Sequence, residues 1–352
     1  MAQFYELAVS QIQRVTAQSV AVSFAIPDQL KDSFTYTAGQ YITLKTDIDG
    51  KEVRRAYSIC STPSSNDLTV AIKEVPDGTF STYANNTLKE GDLLEVHPPE
   101  GKFILDKQEP ATEAKHYIAF AAGSGITPIL SMIKTVLESD TQNTFVLVYG
   151  NKTPAETMFK DELLALKETY SSRFSLELIY SRSREDGAHF GRIMRSTVNF
   201  VMKNKYAARS FEAFYLCGPE PMIKEVTDAL LDNHVEASNI YFELFTSNEV
   251  VEEAQEVLDG KTAITVVVDD ESFDFDMEQE AIILDAALDQ DIDAPHSCQG
   301  GICSSCIARV TTGTAVMRKN QILTDSEVAE GLILTCQAHP TSSKVVVDYD
   351  QV

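Results

Sequence analysis

Positive charge is scarce in this chain. Against 53 aspartates and glutamates stand only 29 lysines and arginines, a net charge of −24 over 352 residues. Such a field repels phosphate backbones and anionic headgroups, so nucleic acid and membrane surfaces are set aside as partners. Long apolar runs are missing too. The longest stretch without a charged or histidine side chain is 117–133, 17 residues broken by Gly123, Gly125 and Pro128. A membrane-spanning helix needs about 20 apolar residues. No basic segment followed by an apolar one opens the sequence, so no secretion signal is expected and the cytoplasm is the expected location. Cysteine is sparse, at 6 residues, and in a cytosolic chain thiols serve as ligands or catalysts rather than disulfides. There is no internal repeat and no low-complexity tract.

What is present falls into three textures, as expected for a length beyond one growing core. The first hundred residues alternate in short runs, "SVAVSFAI", "YITLKT", "LTVAIKEV" and "DLLEVH", with turn residues such as Asp49–Gly50 and Asp77–Gly78 between them. They predict a small antiparallel β-barrel. After "DKQEPATEAK", the strand-like "HYIAFAA", "TFVLVYG", "FSLELIY" and "EAFYLC" come with helical stretches such as "PILSMIKTVLES". Strand and helix in alternation predict an α/β domain with a parallel sheet. The acidic "TSNEVVEEAQEVLDG" reads as a linker, and "AITVVV", "AIILDAALDQ" and "KVVVDY" supply a compact final domain. The expected limits are 1–107, 108–246, a linker at 247–261, and 262–352.

The final domain holds the sharpest signal. Cys298, Cys303, Cys306 and Cys336 give C-x4-C-x2-C and then a gap of 29 residues, the plant-type spacing for a [2Fe–2S] cluster. Structural zinc sites come as two short-spaced pairs, and only one C-x-x-C is present. Gly300 and Gly301 let the loop wrap closely and aim N–H groups at sulfur. Four buried or disulfide-paired cysteines are the plain alternative. Together with "LILTCQA" around Cys336, the last ninety or so residues resemble the plant-type ferredoxins, which implies an α+β (β-grasp) fold.

In the first block, "RAYSICSTP" (55–63) ends a strand and sets Arg55 and Tyr57 on one face, so a ring can stack on the phenol while the guanidinium reaches a phosphate. The turn Gly78–Ser81 can offer N–H groups to a pyrophosphate at a helix start. Alone, either segment is equally an exposed strand or turn. In the second block, "AAGSGITP" is strand, glycine turn and helix. Gly123 and Gly125 allow close approach to a phosphate, Thr127 is the expected N-cap and Pro128 the first helical residue. "YGN" (149–151) and "CGPEPM" (217–222) fall at further strand ends, where ligands of parallel sheets gather. In "IYSRSRE", Ser181 and Arg182, with Arg184 nearby, are placed to grip a 2′-phosphate, favouring NADPH over NADH; the alternative is a solvated arginine loop.

R-x-Y-S, G-x-x-S and "PPEGKF" in this order, followed by the glycine turn, resemble the ferredoxin–NADP reductase family over residues 1 to about 245. The resemblance implies that Tyr57 packs on a flavin with Ser58 at its reactive edge. It implies that Arg55 and Ser81 contact the pyrophosphate of FAD, and that Phe245 covers the other flavin face. It also puts Cys217 and Gly218 beside the nicotinamide, although Cys217 reads equally as a small buried hydrophobe. Cys60 reads as packing. With the ferredoxin domain last, the whole chain resembles the reductase components of phenylacetyl-CoA epoxidases, which serve a di-iron oxygenase. The 3-ketosteroid 9α-hydroxylase reductases share the layout. Phthalate dioxygenase reductase does so with FMN, and the G-x-x-S segment points away from FMN. The implied activity is electron transfer from NAD(P)H through FAD and the cluster to an oxygenase component. A stand-alone NAD(P)H oxidoreductase and a redox sensor are the other readings.

Overall fold

The computed structural model describes residues 3–65, 67–105, 114–139, 142–245, 260–320 and 322–352. The linker expected at 247–261 therefore lies almost wholly outside the described residues. Two compact units divide the rest: one holds 5–53 and 57–245, the other the residues from 260 onward with 3–4 and 54–56.

The N-terminal sheet is antiparallel. Its strands are β1 (Tyr5–Thr16), β2 (Ser19–Ala25), β3 (Tyr41–Ile48), β4 (Lys51–Ser58), β5 (Leu68–Lys73) and, after the helix α1 (Thr79–Asn86), β6 (Leu93–Val96). They pair in the order β4-β3-β6-β1-β2-β5, and an isolated bridge of Ile59 to Val70 joins the two ends, closing the barrel. β3 and β4 meet through the two-residue turn Asp49–Gly50, both left-handed (φ +57° and +77°), the geometry that matches strand twist in a tight hairpin. The core is the inward face of these strands, with Leu7, Val22, Ile42, Leu44, Val70 and Val96 sealed from solvent. β1 is not legible in the sequence, because only Leu7 and Val9 of its 12 residues are buried.

The second sheet is parallel throughout: β7 (His116–Ala122), β8 (Thr144–Asn151), β9 (Phe174–Tyr180), β10 (His189–Phe190), β11 (Ala213–Gly218) and β12 (Ile240–Leu244), in the order β10-β9-β8-β7-β11-β12. Near-continuous apolar runs such as "YIAFA" and "FVLVY" suit strands covered on both faces. The helices α2 (Ile126–Glu138), α3 (Lys160–Thr169), α4 (Arg195–Phe200) and α5 (Glu220–Asp232) make the connections. Strand order reverses between β7 and β11, the switch point at which such sheets open a crevice. The core beneath α2 runs on into the barrel side, taking in Ala38, Cys60, Ala71 and Phe103. Cys60 is thus packing as read, its thiol pushed up to about 12 by burial.

The C-terminal unit has a five-stranded mixed sheet, β14-β13-β19-β15-β17, from β13 (Lys261–Val268), β14 (Glu271–Glu278), β15 (Ile307–Thr312), β17 (Leu332–Leu334) and β19 (Lys344–Asp348). The short β16 (Ala315–Met317) and β18 (Ala338–Pro340) pair separately, and α6 (Ile283–Leu288) and α7 (Asp325–Ala329) complete the α+β unit. β13 and β19 run parallel; the other pairs are antiparallel. Ile264, Val266, Ile283, Leu284, Val345 and Val347 form its core. Among the described residues no helix is long and apolar enough to cross a membrane.

Candidate functional site

Strand alternation on β4 leaves Arg55 exposed and Tyr57 half-buried on one face and buries Ser58. The Tyr57 ring leans on Phe80 of α1, centroids 5.6 Å apart, so strand and helix start form one surface. Gly78 caps α1. A Cβ there would stand 2.4 Å from both Ser81 Oγ and Val75 Cγ2, so any side chain would have to displace one of them. The Ser81 hydroxyl is committed to this turn, accepting from Val75 N–H at 3.2 Å and donating to the Gly78 carbonyl at 3.4 Å. What α1 offers an anion is therefore its first-turn N–H groups, which lack partners within the helix. A cavity of about 480 Å³ opens beside them, between Asp47–Asp49 and Gly78, Thr82 and Tyr83.

Ser58 has a partner that sequence reading missed. Its hydroxyl donates to Glu243 Oε2 at 3.0 Å. Glu243 lies on β12 directly beside Cys217 of β11. Burial pushes the Glu243 carboxyl up to about 8, with the Ser58 hydrogen bond pulling the other way. Cys217 is sealed from solvent, and burial reinforced by Glu243 raises its thiol well above the usual range. Cys217 is thus a buried neutral thiol whose cross-strand neighbour is the Ser58-bonded Glu243. The only sequence signal for Glu243 is an acidic residue between apolar ones in "YFELF"; its neighbour is set by the β11–β12 pairing. Phe245, two residues on, is half-buried against the same core.

At the end of β7 the glycine turn differs from expectation. Residues Gly123–Gly125 form a 3-10 turn that runs directly into α2, so Gly125 is the N-cap, Thr127 is the second helical residue and Pro128 the third. The Thr127 hydroxyl turns back to donate to the Ser124 carbonyl at 3.1 Å. The reason for Gly125 is contact: a Cβ there would lie 2.2 Å from the Cys217 carbonyl oxygen. Gly123 adopts φ +57° with open space around it. Gly218 ends β11 across the switch point. At the far strand ends, Ser181 N–H donates to the Asn151 carbonyl at 3.0 Å and Arg182 N–H to the Lys152 carbonyl at 2.9 Å. These bonds fix the loop and leave the Arg182 side chain exposed. Arg184 instead lies over the Phe190 ring, 4.3 Å from its centroid.

The four cysteines of the final unit come together. Hydrogen bonds from Cys303 and Cys336 hold the Cys298 thiol far below its usual range, with Gly300 and Ile302 N–H helping, and Cys306 is lowered by Cys336, while the donors Cys303 and Cys336 are raised by the same bonds. None of the six cysteines is in a disulfide, and Cys303, Cys306 and Cys336 are buried while Cys298 is partly exposed. The loop fits a two-iron group. Gly300 N–H donates to Cys298 Sγ at 3.3 Å. Gly301 turns at φ +69°, where a Cβ would strike Gln337 Cγ at 2.9 Å. Ser297, 1% exposed, has a hydroxyl without a protein partner, as expected of a donor meant for sulfur.

Comparison with known proteins agrees with this geometry. Residues 6–104 match the family model of the oxidoreductase FAD-binding domain, 120–228 that of the oxidoreductase NAD-binding domain, and 266–341 that of the 2Fe-2S iron–sulfur cluster binding domain. One of the subunits of 1,2-phenylacetyl-CoA epoxidase from Escherichia coli (strain K12) is 35% identical, covering 99% of both chains. The ferredoxin reductase component of 3-ketosteroid-9-alpha-monooxygenase from Rhodococcus rhodochrous is 31% identical over 97% of this chain and 96% of the relative. The structure of phthalate dioxygenase reductase superposes with a TM-score of 0.63 at 24% identity, covering 98% of each chain, and so shares the fold. The chain belongs to the ferredoxin–NADP reductase family of oxidoreductases, in the branch that joins FAD-binding, NAD-binding and C-terminal 2Fe-2S domains in one polypeptide.

Proposed function

We propose that this protein is the reductase component of a multicomponent oxygenase, passing electrons from NAD(P)H to a di-iron partner of the phenylacetyl-CoA epoxidase type in the cytoplasm. The full-length likeness to the Escherichia coli epoxidase component carries the reading. Its domain limits are those given above: 1–107, 108–246 and 262–352, with a linker at 247–261. When bound, FAD takes up electrons in pairs and releases them singly, as a [2Fe–2S] cluster requires.

The residues divide the work by position. Tyr57 offers the flavin ring a face, Phe245 the opposite cover, and Arg55 and the Gly78–Ser81 turn a seat for the pyrophosphate. The cavity beside α1 has room for the adenosine half, which favours FAD over FMN. Ser58 and Cys217 form the wall against which the nicotinamide is oriented, and Glu243 holds a proton behind Ser58. Gly123, Gly125, Thr127 and Gly218 shape the crevice, while Ser181 and Arg182 select the 2′-phosphate. Cys298, Cys303, Cys306 and Cys336 are the iron ligands.

The purified protein, mixed with candidate oxygenases and NADPH, tests the assignment. Oxidation of phenylacetyl-CoA only with the di-iron oxygenase supports it; activity confined to a 3-ketosteroid oxygenase, or no transfer to either, overturns it.

Arg182→Ala is expected to raise KM for NADPH far more than for NADH. A lost charged hydrogen bond of about 1.5–3 kcal/mol corresponds to roughly ten- to a hundredfold in affinity. Steady-state kinetics with both nucleotides decide it: equal effects would make the arginine structural.

The final domain carries 16 Asp and Glu against 5 Lys and Arg over 261–352, net −11 of the chain's −24. Asp289, Asp291 and Asp293 approach Cys298 in sequence and are exposed. A negative field here steers a basic partner, over a Debye length of about 10 Å at 0.1 M salt. Delivery to the oxygenase should fall steeply with ionic strength while flavin reduction by NADPH changes little. Asp289→Asn with Asp291→Asn should flatten that dependence; asparagine suits the left-handed φ of +57° at 291. A delivery rate indifferent to salt would reduce the acidic face to solvation.

A further inference from the structure

The C-terminal core contains a chain of hydroxyls that the electron-transfer reading leaves unused. Tyr349, just past β19, is 6% exposed, and Thr335, one residue before the ligand Cys336, is fully buried. The Tyr349 Oη–H donates to Thr335 Oγ1 at 2.8 Å, and Thr335 Oγ1 donates onward to the Cys306 carbonyl at 3.0 Å. The Thr335 N–H donates to the same carbonyl at 3.1 Å. Each proton in the series points the same way, toward Cys306.

Two of the four thiols are thereby tied together. Thr335 and Cys336 are adjacent, so the two hydrogen bonds from Thr335 to the Cys306 carbonyl set how far apart two ligand-bearing segments stand. Tyr349 fixes the rotor of the Thr335 hydroxyl, which otherwise has a choice of acceptors. Aligned donors in a buried series polarise one another, and their positive ends face the ligand segment.

We infer that Tyr349 is a positioning residue for the cluster, acting through Thr335 to hold the Cys306–Cys336 pair and to raise the reduction potential. The inference rests on the [2Fe–2S] reading above.

The test is a redox titration of the intact holoprotein, followed by the electron paramagnetic resonance signal of the reduced cluster. Tyr349→Phe should move the reduction equilibrium about tenfold toward the oxidised form, ~59 mV for a one-electron couple. Thr335→Val should shift it the same way and Thr335→Ser should keep the native value. The double variant, Tyr349→Phe with Thr335→Val, should equal Thr335→Val alone, because one residue acts through the other. Additive shifts, or an unmoved potential in Tyr349→Phe, overturn the inference. If Tyr349→Phe purifies without iron, reconstitution with iron and sulfide follows. Failure to load with the β-sheet circular dichroism intact supports positioning, and loss of the sheet itself assigns Tyr349 to the core instead. Iron and sulfide analysis of the native protein separates the two claims, since absence of iron there overturns the cluster reading first.

Discussion

Cys306→Ser is expected to keep FAD and to go on reducing ferricyanide with NADPH, while electron delivery to a one-electron protein acceptor falls to background. The two activities part because Cys306 belongs to the C-terminal unit, and Tyr57, Ser58, Gly125 and Cys217 belong to the other. Ferricyanide accepts electrons from a flavin directly; a partner protein reading the cluster does not. The Cys306 backbone carbonyl, which receives both Thr335 bonds, is unchanged by the substitution, so the sheet should survive. Iron content, flavin content and the two acceptor assays are measured on one preparation. Loss of cytochrome c reduction with iron still bound, or zinc in place of iron in the native protein, would refute the electron path.

Gly125→Ala should be the most damaging single-methyl change in the nicotinamide crevice. The new Cβ meets the Cys217 carbonyl oxygen at 2.2 Å and its carbon at 2.5 Å, both backbone atoms that cannot swing aside. β7 and β11 must part at the switch point, or α2 must retreat. Overpacking of this kind costs about 1–3 kcal/mol, and if it falls on nucleotide binding, the rate constant for flavin reduction drops roughly ten- to a hundredfold at 1.36 kcal/mol per decade. Gly123→Ala is the control, having a left-handed φ but nothing within 4 Å of its Cβ. Stopped-flow bleaching of the flavin by NADPH should rank Gly125→Ala far below Gly123→Ala. Equal losses would show that chain strain, not the approach to Cys217, makes these glycines necessary.

Much of this is legible in the sequence, for identifiable reasons. The four cysteines of the final unit stand out because C-x4-C-x2-C is a local pattern, read without knowing any contact. β7, β8, β9 and β11 stand out because strands covered on both faces carry near-continuous apolar runs. Glu243 is not legible, since its meaning comes from lying beside Cys217 and reaching Ser58 across 185 positions. The start of α2 is misread because threonine followed by proline imitates an N-cap, whereas the glycine turn has already begun to wind. β14, "ESFDFDME", escapes notice because most of its residues face solvent. Ser81 invites a ligand role, but its hydroxyl is already spent on its own turn.

The position of β19 has a consequence in time. It is the last of the five strands of its sheet to be synthesised, yet it occupies the middle, parallel to β13 on one side and antiparallel to β15 on the other. Until it emerges, the earlier strands β13 and β15 have no partner between them, and the Cys298–Cys306 loop has no fixed platform. The barrel and the α/β sheet are by then complete, since both are built from residues before 246 and domains fold in order during synthesis. Closure of the cysteine-bearing unit is therefore expected only after β19 has emerged. A ribosome stalled before residue 344 would carry a flavin-competent head on a cluster domain still unable to close.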